Sequence, residues 1–338
     1  MTVVDIHSHF VPRGWHDPGE RYGGKWPWVR GDSDPGRAMI MLGEREFRPI
    51  ESTCWDAERR LESMQRDGID LQVVSATPVF FAYDKPAEQA LDMARRMNDA
   101  ALELAGNGRG RLFALCQVPL QDTDAACREL SRCMTAGHVG VQIGNHVGPR
   151  NMDDPGIVDF LRHCAATGAP VLVHPWDMMG ADRTSSYMMG WTVGMPAETQ
   201  LGIVSMILGG AFDQLPRELK ICFAHGGGSF AFLLGRLENA WLHRDVARGK
   251  SLHRPSAYLD RFHVDSAVFD PAALQFLVGC MGVERVMLGS DYPFPLGEEH
   301  VGRLIRTAFG GDISARSRLL GANALDFFGL SALLPRLS

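Results

Sequence analysis

The chain has 338 residues, of which 45% are hydrophobic and 22% are charged, a composition typical of a globular protein with a large core. Its net charge of −6 and the lack of a dense lysine and arginine run argue against a nucleic-acid-binding surface. The N-terminus lacks a signal-peptide pattern, no apolar run approaches membrane-spanning length, and the seven cysteines form no CxxC pair. We therefore expect a cytoplasmic protein with reduced cysteines and with no nucleic-acid or membrane partner.

The first ten residues form a short β-prone run, with Val3, Val4 and Ile6, that ends in His7 and His9. Side chains alternate between the two faces of a strand, so the two histidines point in the same direction and can bind one metal ion. A strand whose histidines only form hydrogen bonds would show the same short pattern. Further metal-binding side chains at the ends of other strands are needed to favour a metal site over histidines that only form hydrogen bonds.

A segment rich in glycine, proline, tryptophan and arginine follows, over about residues 11–52. We interpret it as a small insertion after the first strand. A disordered loop is the alternative, but the aromatic residues and apolar runs disfavour it. Within the insertion, residues 39–42 and 46–50 are predicted to pair as a hairpin.

From Trp55 onward, apolar strand-like runs alternate with helical patterns. The predicted strands after the first cover residues 71–76, 112–119, 139–143, 171–174, 220–225, 263–267 and 285–291. Predicted helices cover about 86–106, 197–213 and 229–248; other helices are expected to start at Thr123 as a cap, at Asp154-Pro155 and at Asp270-Pro271.

Eight short apolar strands that alternate with helices predict an α/β fold, a (β/α)8 TIM barrel. We expect the barrel to be a single domain over residues 1–338, interrupted by the insertion. An open doubly wound sheet would need a glycine-rich phosphate-binding turn after the first strand, where this chain has HSHF.

The predicted strand ends carry several side chains that can bind a metal ion. His7 and His9 end the first strand, His174 the fifth, His225 the sixth and Asp291 the eighth. Barrel enzymes have their active sites at the carboxyl ends of the strands, so these five residues are expected to converge. Three imidazoles and a carboxylate with an open coordination position suit Zn²⁺ or a similar divalent ion.

The fourth predicted strand and its exit, residues 139–146, contain no lysine, aspartate or glutamate that could bridge a second ion, so we expect one metal ion per chain. A water molecule bound to that ion would have its pKa lowered toward neutrality. His225 suits the general acid or base for this water, although it could instead be a fifth ligand. The three glycines after it either let the backbone approach the substrate or form the turn into the next helix.

Longer motifs resemble one family. They are HSHF (7–10), ATPV (76–79), QVPLQD (117–122), QIGNH (142–146), HPWDMMG (174–180), MPAETQ (195–200), FAHGGGSFAFLLGR (223–236) and LGSDYPFPLGE (288–298). They resemble the 2-amino-3-carboxymuconate-6-semialdehyde decarboxylases, a family of metal-dependent, non-oxidative decarboxylases in the amidohydrolase superfamily. The resemblance covers nearly the whole chain. It implies that His7, His9, His174 and Asp291 bind zinc and that His225 is the acid or base.

The resemblance also implies substrate-binding residues. Arg48 in the insertion, Trp191 and Phe294 would line the pocket. Arg236 and Arg244, on the helix after the sixth strand, would reach a substrate carboxylate in the neighbouring subunit, so that the homodimer is the working unit. Without the family, these two arginines would be a solvated helix face. Bidentate binding by guanidinium groups suits a dicarboxylate substrate.

The activity implied is zinc-dependent decarboxylation of 2-amino-3-carboxymuconate 6-semialdehyde to 2-aminomuconate 6-semialdehyde, in tryptophan (kynurenine pathway), 3-hydroxyanthranilate or nitrobenzoate catabolism. Loss of CO2 leaves electron density on carbon, which requires charge stabilisation and proton delivery. A hydroxymuconate semialdehyde or an aromatic acid is an alternative substrate, because residues 14–40 and 181–190, which we expect to border the pocket, differ from the family. The metal set alone also fits a hydrolase. A non-catalytic barrel would lack a ligand, and none is missing.

Overall fold

The computed structural model describes residues 1–331. The strands are β1 (Val4–Phe10), β2 (Pro27–Gly31), β3 (Arg37–Leu42), β4 (Arg45–Glu51), β5 (Leu71–Ala76), β6 (Leu112–Cys116), β7 (Gly140–Gly144), β8 (His146–Val147), β9 (Arg150–Asn151), β10 (Val171–His174), β11 (Ile221–Phe223), β12 (His263–Asp265) and β13 (Val286–Met287). The α-helices are α1 (Gly19–Tyr22), α2 (Ala57–Asp67), α3 (Ala87–Gly106), α4 (Thr123–Ala136), α5 (Pro155–Thr167), α6 (Met195–Leu208), α7 (Ala211–Gln214), α8 (Phe230–His243), α9 (Pro271–Met281), α10 (Arg303–Ala308), α11 (Ile313–Ser317) and α12 (Asn323–Phe328). Among residues 1–331, none of the helices combines the length and the apolar character that crossing a bilayer requires.

Eight strands form one parallel sheet in the order β1-β5-β6-β7-β10-β11-β12-β13. The first strand also meets the chain after the last one. The amide of Ile6 donates to the carbonyl oxygen of Leu288 at 2.9 Å, and the amide of Asp291 donates to that of His7 at 2.9 Å. These bonds close the sheet into a barrel, so the predicted (β/α)8 fold is confirmed.

Both faces of the barrel strands are buried, because helices cover the outside and side chains fill the inside. One buried cluster lies within the barrel and includes Val4, Ile6 and Leu71, which lie in the first halves of their strands, and Met287 of the short strand β13. Phe327 of α12 packs against this cluster. Helix α12 therefore covers the amino-terminal end of the barrel, and the carboxyl end is left for polar side chains.

Aspartates begin several of the helices. The side chains of Asp154 and Asp270 accept hydrogen bonds from backbone amides at the first turns of α5 and α9, as their Asp-Pro sequences predicted. The predicted cap of α4 was wrong by one residue. Asp122 accepts from the amide of Ala125 at 2.9 Å, while Thr123 is the first helical residue.

The insertion after β1 is ordered into an antiparallel sheet. The predicted hairpin is confirmed as β3 and β4, and β2 adds a third strand that the sequence did not indicate. Ile40 and Ile50 of this sheet, and Trp26 directly before it, are buried in the main hydrophobic core. This packing holds β4, and with it Arg48, beside the carboxyl end of the barrel.

Candidate active site

Strand β1 places two imidazoles side by side near its carboxyl end. His7 and His9 are separated by one residue, so they lie on the same face of the strand, and both are buried. Their Nε2 atoms are 3.2 Å apart. Two nitrogen lone pairs at this distance repel each other unless a proton or a metal ion lies close to both. The pair is therefore arranged for a cation.

Two further side chains complete the group. His174 is the last residue of β10 and Asp291 follows β13, so both reach the same end of the barrel as His7 and His9. Ligand atoms of these four residues all lie within 4.8 Å of one another. The Nε2 atom of His174 is buried and has no hydrogen-bond partner among residues 1–331. Three imidazole nitrogens, one of them without a hydrogen-bond partner, and one carboxylate fit a divalent metal ion, and these four residues are called the metal group below.

Hydrogen bonds behind the group orient the imidazoles. The Nδ1 atom of His7 is 2.6 Å from Oδ2 of Asp265, and the Nδ1 atom of His174 is 2.9 Å from the carbonyl oxygen of Pro175. Because both partners are acceptors, each Nδ1 atom carries the proton. The Nε2 lone pairs are left for a metal ion, the arrangement in which histidines usually ligate metals.

Burial sets the protonation states of the group. It lowers the pKa of His9 to about 4 and that of His174 well below its ordinary value, where the charges of neighbouring histidines add to the effect. Burial by itself would raise the pKa of Asp291. The nearby imidazole of His225 and the contact of 3.0 Å with Nε2 of His9 outweigh burial and hold the pKa of Asp291 well below its ordinary value. Near neutral pH the imidazoles of His9 and His174 are neutral and Asp291 is ionised, as metal ligation requires.

His225 follows β11 and lies beside the group of four. Its Nε2 atom is 3.8 Å from Oδ2 of Asp291, and its ring centroid is 4.9 Å from that of His174. Neither ring nitrogen of His225 has a hydrogen-bond partner among residues 1–331. A proton on His225 would therefore lie close to a molecule bound at the metal group.

Three glycines after His225 form the turn into α8. Gly226, Gly227 and Gly228 have φ angles of 63°, 73° and 63°. A Cβ atom on Gly228 would lie 2.1 Å from the carbonyl oxygen of Pro196. Of the two explanations for these glycines, the structure supports the tight turn, which a side chain would block.

The metal group opens into a cavity of about 330 Å³ at the carboxyl end of the barrel. The cavity is lined by three residues of the metal group, the three predicted pocket residues and two further aromatic residues, namely His9, His174, Asp291, Arg48, Trp191, Phe294, Phe47 and Trp176. The walls are therefore mostly apolar and aromatic, and the polar groups are concentrated at the metal group and at Arg48.

Arg48 is held among aromatic rings. Its guanidinium carbon lies 4.3 Å from the ring centroid of Phe294, 5.4 Å from that of Phe47 and 5.9 Å from that of Trp191. Burial lowers the pKa of the guanidinium group, and the charge of Asp291 partly offsets this. No carboxylate among residues 1–331 forms an ion pair with Arg48, so the cation is available to an anionic ligand.

Two predicted substrate-binding residues lie elsewhere in the chain. Arg236 on α8 and Arg244 at its end are exposed and do not line the cavity of their own chain. Within residues 1–331, neither arginine forms an ion pair. The structure of one chain therefore separates these two arginines from the other predicted site residues.

Sequence analysis did not single out three residues of the site. Asp265 accepts a hydrogen bond from Nδ1 of His7, on the side of the ring away from the metal group, and Phe47 and Trp176 add aromatic surface to the cavity. The position of Asp265 within the seventh predicted strand, residues 263–267, was the available signal. A carboxylate near the end of a barrel strand is expected to face the same site as the histidines.

The comparisons with known proteins agree with this geometry. A protein-family model described as amidohydrolase matches residues 4–330. A 2-amino-3-carboxymuconate-6-semialdehyde decarboxylase from Dictyostelium discoideum is 43% identical over 330 residues, which cover 97% of this chain and 91% of the relative. The chain belongs to this family of amidohydrolase-type decarboxylases. A relative of the same description from Caenorhabditis elegans is 32% identical over 376 residues, covering 95% of this chain and 93% of the relative. The resemblance of the longer motifs to these decarboxylases is confirmed.

Solved structures share the fold of the decarboxylase chain. The apo form of Metarhizium anisopliae IDCase has a TM-score of 0.83 and 25% identity, with 97% of both chains covered. A dihydroxybenzoic acid decarboxylase from Polaromonas sp. JS666, solved with bound manganese and the inhibitor 2-nitroresorcinol, has a TM-score of 0.79 and 21% identity, with 97% of both chains covered. These likenesses agree with the barrel seen here.

Proposed function

We propose that the chain is a metal-dependent carboxy-lyase that converts 2-amino-3-carboxymuconate 6-semialdehyde to 2-aminomuconate 6-semialdehyde. One observation carries the proposal. In a chain of this decarboxylase family, the four-residue metal group opens into a cavity where Arg48 supplies a cation among aromatic rings. A conjugated, anionic substrate matches such a cavity, because the rings can stack on it and the cation can bind a carboxylate.

We further propose that the metal is zinc, with one ion per chain held by His7, His9, His174 and Asp291. Three imidazole nitrogens and one carboxylate are a donor set that zinc prefers. Manganese is the alternative, because it is the ion bound in the dihydroxybenzoic acid decarboxylase. When bound, the ion supplies Lewis-acid chemistry, polarising oxygen atoms that coordinate to it.

Decarboxylation breaks the bond between a carbon atom and its carboxylate, and the electron pair stays on that carbon until a proton replaces the CO2. His225 is the proposed acid or base that handles this proton. Its Nε2 atom is 3.8 Å from Asp291, and no other group among residues 1–331 holds its ring nitrogens. Arg48 would meanwhile orient the substrate by one carboxylate, and Trp191 and Phe294 would exclude water.

We propose that the working unit is a homodimer in which Arg236 and Arg244 reach the cavity of the partner chain and bind a second carboxylate. Both arginines are exposed and unpaired within residues 1–331. Phe232 and Val246, close to them in the chain, are 82% and 85% exposed. Exposed apolar side chains beside unpaired cations suit an interface with a second copy. The seven free thiols support a reducing, cytoplasmic setting, where this substrate arises from 3-hydroxyanthranilate in tryptophan catabolism.

The test combines metal analysis with a substrate assay on one purified sample. The substrate is generated in the cuvette from 3-hydroxyanthranilate by its dioxygenase, and its absorbance decay is followed together with CO2 release. We expect rapid decay with one zinc ion per chain. Arg48→Ala should raise KM strongly, whereas Arg45→Ala on the exposed part of the same strand should not. A zinc-loaded chain that leaves this substrate intact but decarboxylates an aromatic acid would refute the proposed substrate.

A further inference from the structure

Asp265 is a fully buried carboxylate at the end of β12, with contacts to two different parts of the active site. Its Oδ2 atom is 2.6 Å from Nδ1 of His7. Its Oδ1 atom accepts hydrogen bonds from the amides of Gly226 at 2.9 Å and Ala267 at 3.0 Å. The carboxylate is therefore held by three hydrogen-bond donors among residues 1–331. They come from β1, from the turn after β11 and from the residues that follow β12.

The contact with His7 decides which nitrogen of that imidazole is free. An ionised carboxylate can only accept, so Nδ1 of His7 must carry a hydrogen atom. The lone pair of the neutral ring then lies on Nε2, which faces the metal group 3.2 Å from Nε2 of His9. With the opposite tautomer, a hydrogen atom would point into the metal group and block ligation.

The contact with Gly226 fixes the turn that carries His225. His225 and Gly226 have φ angles of 55° and 63°, in a left-handed region that non-glycine residues avoid. A backbone held in this conformation needs support from its surroundings. The bond from the Gly226 amide to Asp265 supplies it, at the residue directly after His225.

We infer that Asp265 is a positioning residue that sets the tautomer of His7 and fixes the turn of His225 through one carboxylate. The two halves of the site, the metal group and the proposed acid or base, are thereby held in one relative arrangement. The inference rests on the metal site of the proposed function.

The sharpest test is Asp265→Asn, which preserves the shape of the side chain. The amide oxygen of the asparagine can still accept from Gly226 and Ala267, so its NH2 group must face Nδ1 of His7. His7 would then have to accept at Nδ1 and carry its hydrogen atom on Nε2. We expect zinc affinity, measured by competition with a chromogenic chelator, to fall by about ten- to a hundredfold, as is typical when the support of a metal-binding histidine is lost. The thermal midpoint of the metal-free variant should stay near that of the metal-free wild type.

Asp5→Asn is the matched control. Asp5 is also fully buried on β1 and loses the same charge. Its side chain accepts from Gln72, from Ser290 and from the backbone amide of His7, all bonds that an asparagine oxygen can still accept in part, and it contacts no imidazole nitrogen. It should lower the thermal midpoint while leaving zinc affinity within a fewfold range of the wild type. Equal losses of zinc affinity in the two variants would assign the effect to buried charge and overturn the inference.

The remaining outcomes separate the inference from the proposed function. A wild-type chain that binds no zinc with its four ligands intact would refute the metal site itself. A wild type that binds zinc, with an Asp265→Asn variant that binds it equally well, would refute only the role of Asp265. If this variant fails to fold, long-range proton–nitrogen correlation spectra of the zinc-loaded wild type provide the answer. A His7 Nδ1 hydrogen that exchanges slowly with water supports the inference, and one in rapid exchange overturns it.

Discussion

His225 has an unfavourable backbone conformation and an imidazole without hydrogen-bond partners among residues 1–331. Its φ of 55° lies in the left-handed region, and both ring nitrogens are buried without a partner among residues 1–331. A buried polar group without a hydrogen bond costs about 1–3 kcal/mol. The proposed acid or base role at the adjacent metal group would account for an imidazole at this position.

We therefore predict that His225→Ala keeps its metal ion and loses most of its turnover. General acid–base catalysis typically contributes a factor of about 10²–10⁴, which sets the expected loss in kcat. Metal analysis and steady-state kinetics on the same preparation provide the measurement. The control is His225→Asn, which tolerates the positive φ better than alanine but cannot transfer a proton. A metal-free His225→Ala chain would make His225 a fifth ligand.

His263 is a partly buried histidine at the start of β12, away from the metal group. Burial, with the positive charges of Arg285 and Lys220, lowers its pKa from 6.5 to about 3. Between these two pH values the unfolded chain binds a proton at this residue and the folded chain does not. Stability must therefore decrease as the pH falls through this interval.

The prediction for His263 is made by comparison with His263→Phe, which cannot titrate. The wild type should lose free energy of unfolding relative to this variant as the pH falls below about 6.5. Urea denaturation of the metal-free proteins at a series of pH values measures the difference. A constant difference over the whole range would mean that His263 is protonated in the folded state.

At the scale of elements, the turn between β11 and α8 leaves no space for a side chain at Gly228. Gly228 has φ 63° and ψ −128°, and a Cβ atom there would meet the carbonyl oxygen of Pro196 at 2.1 Å. The start of α6 thus packs directly on the backbone that carries His225. A change in the packing at Gly228 should displace His225, which is only three residues away in the sequence.

Gly228→Ala should destabilise the protein by at least about 1–3 kcal/mol, because the backbone must leave its conformation or move α6. Turnover should fall as well, since His225 shifts with the turn. Gly279→Ala in α9 is the matched control, because no atom lies within 4 Å of a Cβ atom at that position. Alanine there should stabilise the helix by up to about 1 kcal/mol. Thermal denaturation of both variants measures their stabilities. If Gly228→Ala were as stable as Gly279→Ala, the close contact between position 228 and the carbonyl oxygen of Pro196 would be contradicted.

The elements that sequence analysis predicted well are those with strong local patterns. Strand β10 ends at His174 and the Asp-Pro pairs begin α5 and α9 as expected, because apolar runs and caps act over a few residues. Strand β2 was missed because Trp28 and Val29 lie between turn-forming residues, and only pairing with β3 makes the segment a strand. Asp265 was missed for a similar reason, since its role depends on His7, which is distant in sequence and adjacent in space.

At the scale of the whole molecule, the proposed substrate carries two carboxylates. Within the cavity, Arg48 supplies one cation. Arg236 on α8 and Arg244 directly after it are exposed and lie outside the cavity of their own chain. A dimer that shares these arginines would need both chains for each complete site.

Subunit mixing tests this arrangement. Arg236→Ala and His225→Ala homodimers should each have low activity. A verified heterodimer of the two should regain activity, because the site with an intact His225 receives Arg236 from its partner. The other site in the heterodimer lacks both groups and stays inactive. Heterodimers as inactive as their parents would show that Arg236 does not act across the interface.

The metal group spans the seam where the first strand of the barrel meets the last. His7 and His9 come from β1, whereas Asp291 follows β13 and donates its amide hydrogen to the carbonyl oxygen of His7 at 2.9 Å. During synthesis, the first two ligands leave the ribosome long before the fourth has been translated. The nascent chain therefore cannot assemble a full binding site until almost all of it has emerged and the barrel has closed. An ion bound by all four residues would enter a finished scaffold, and its occupancy would report that synthesis and closure are complete.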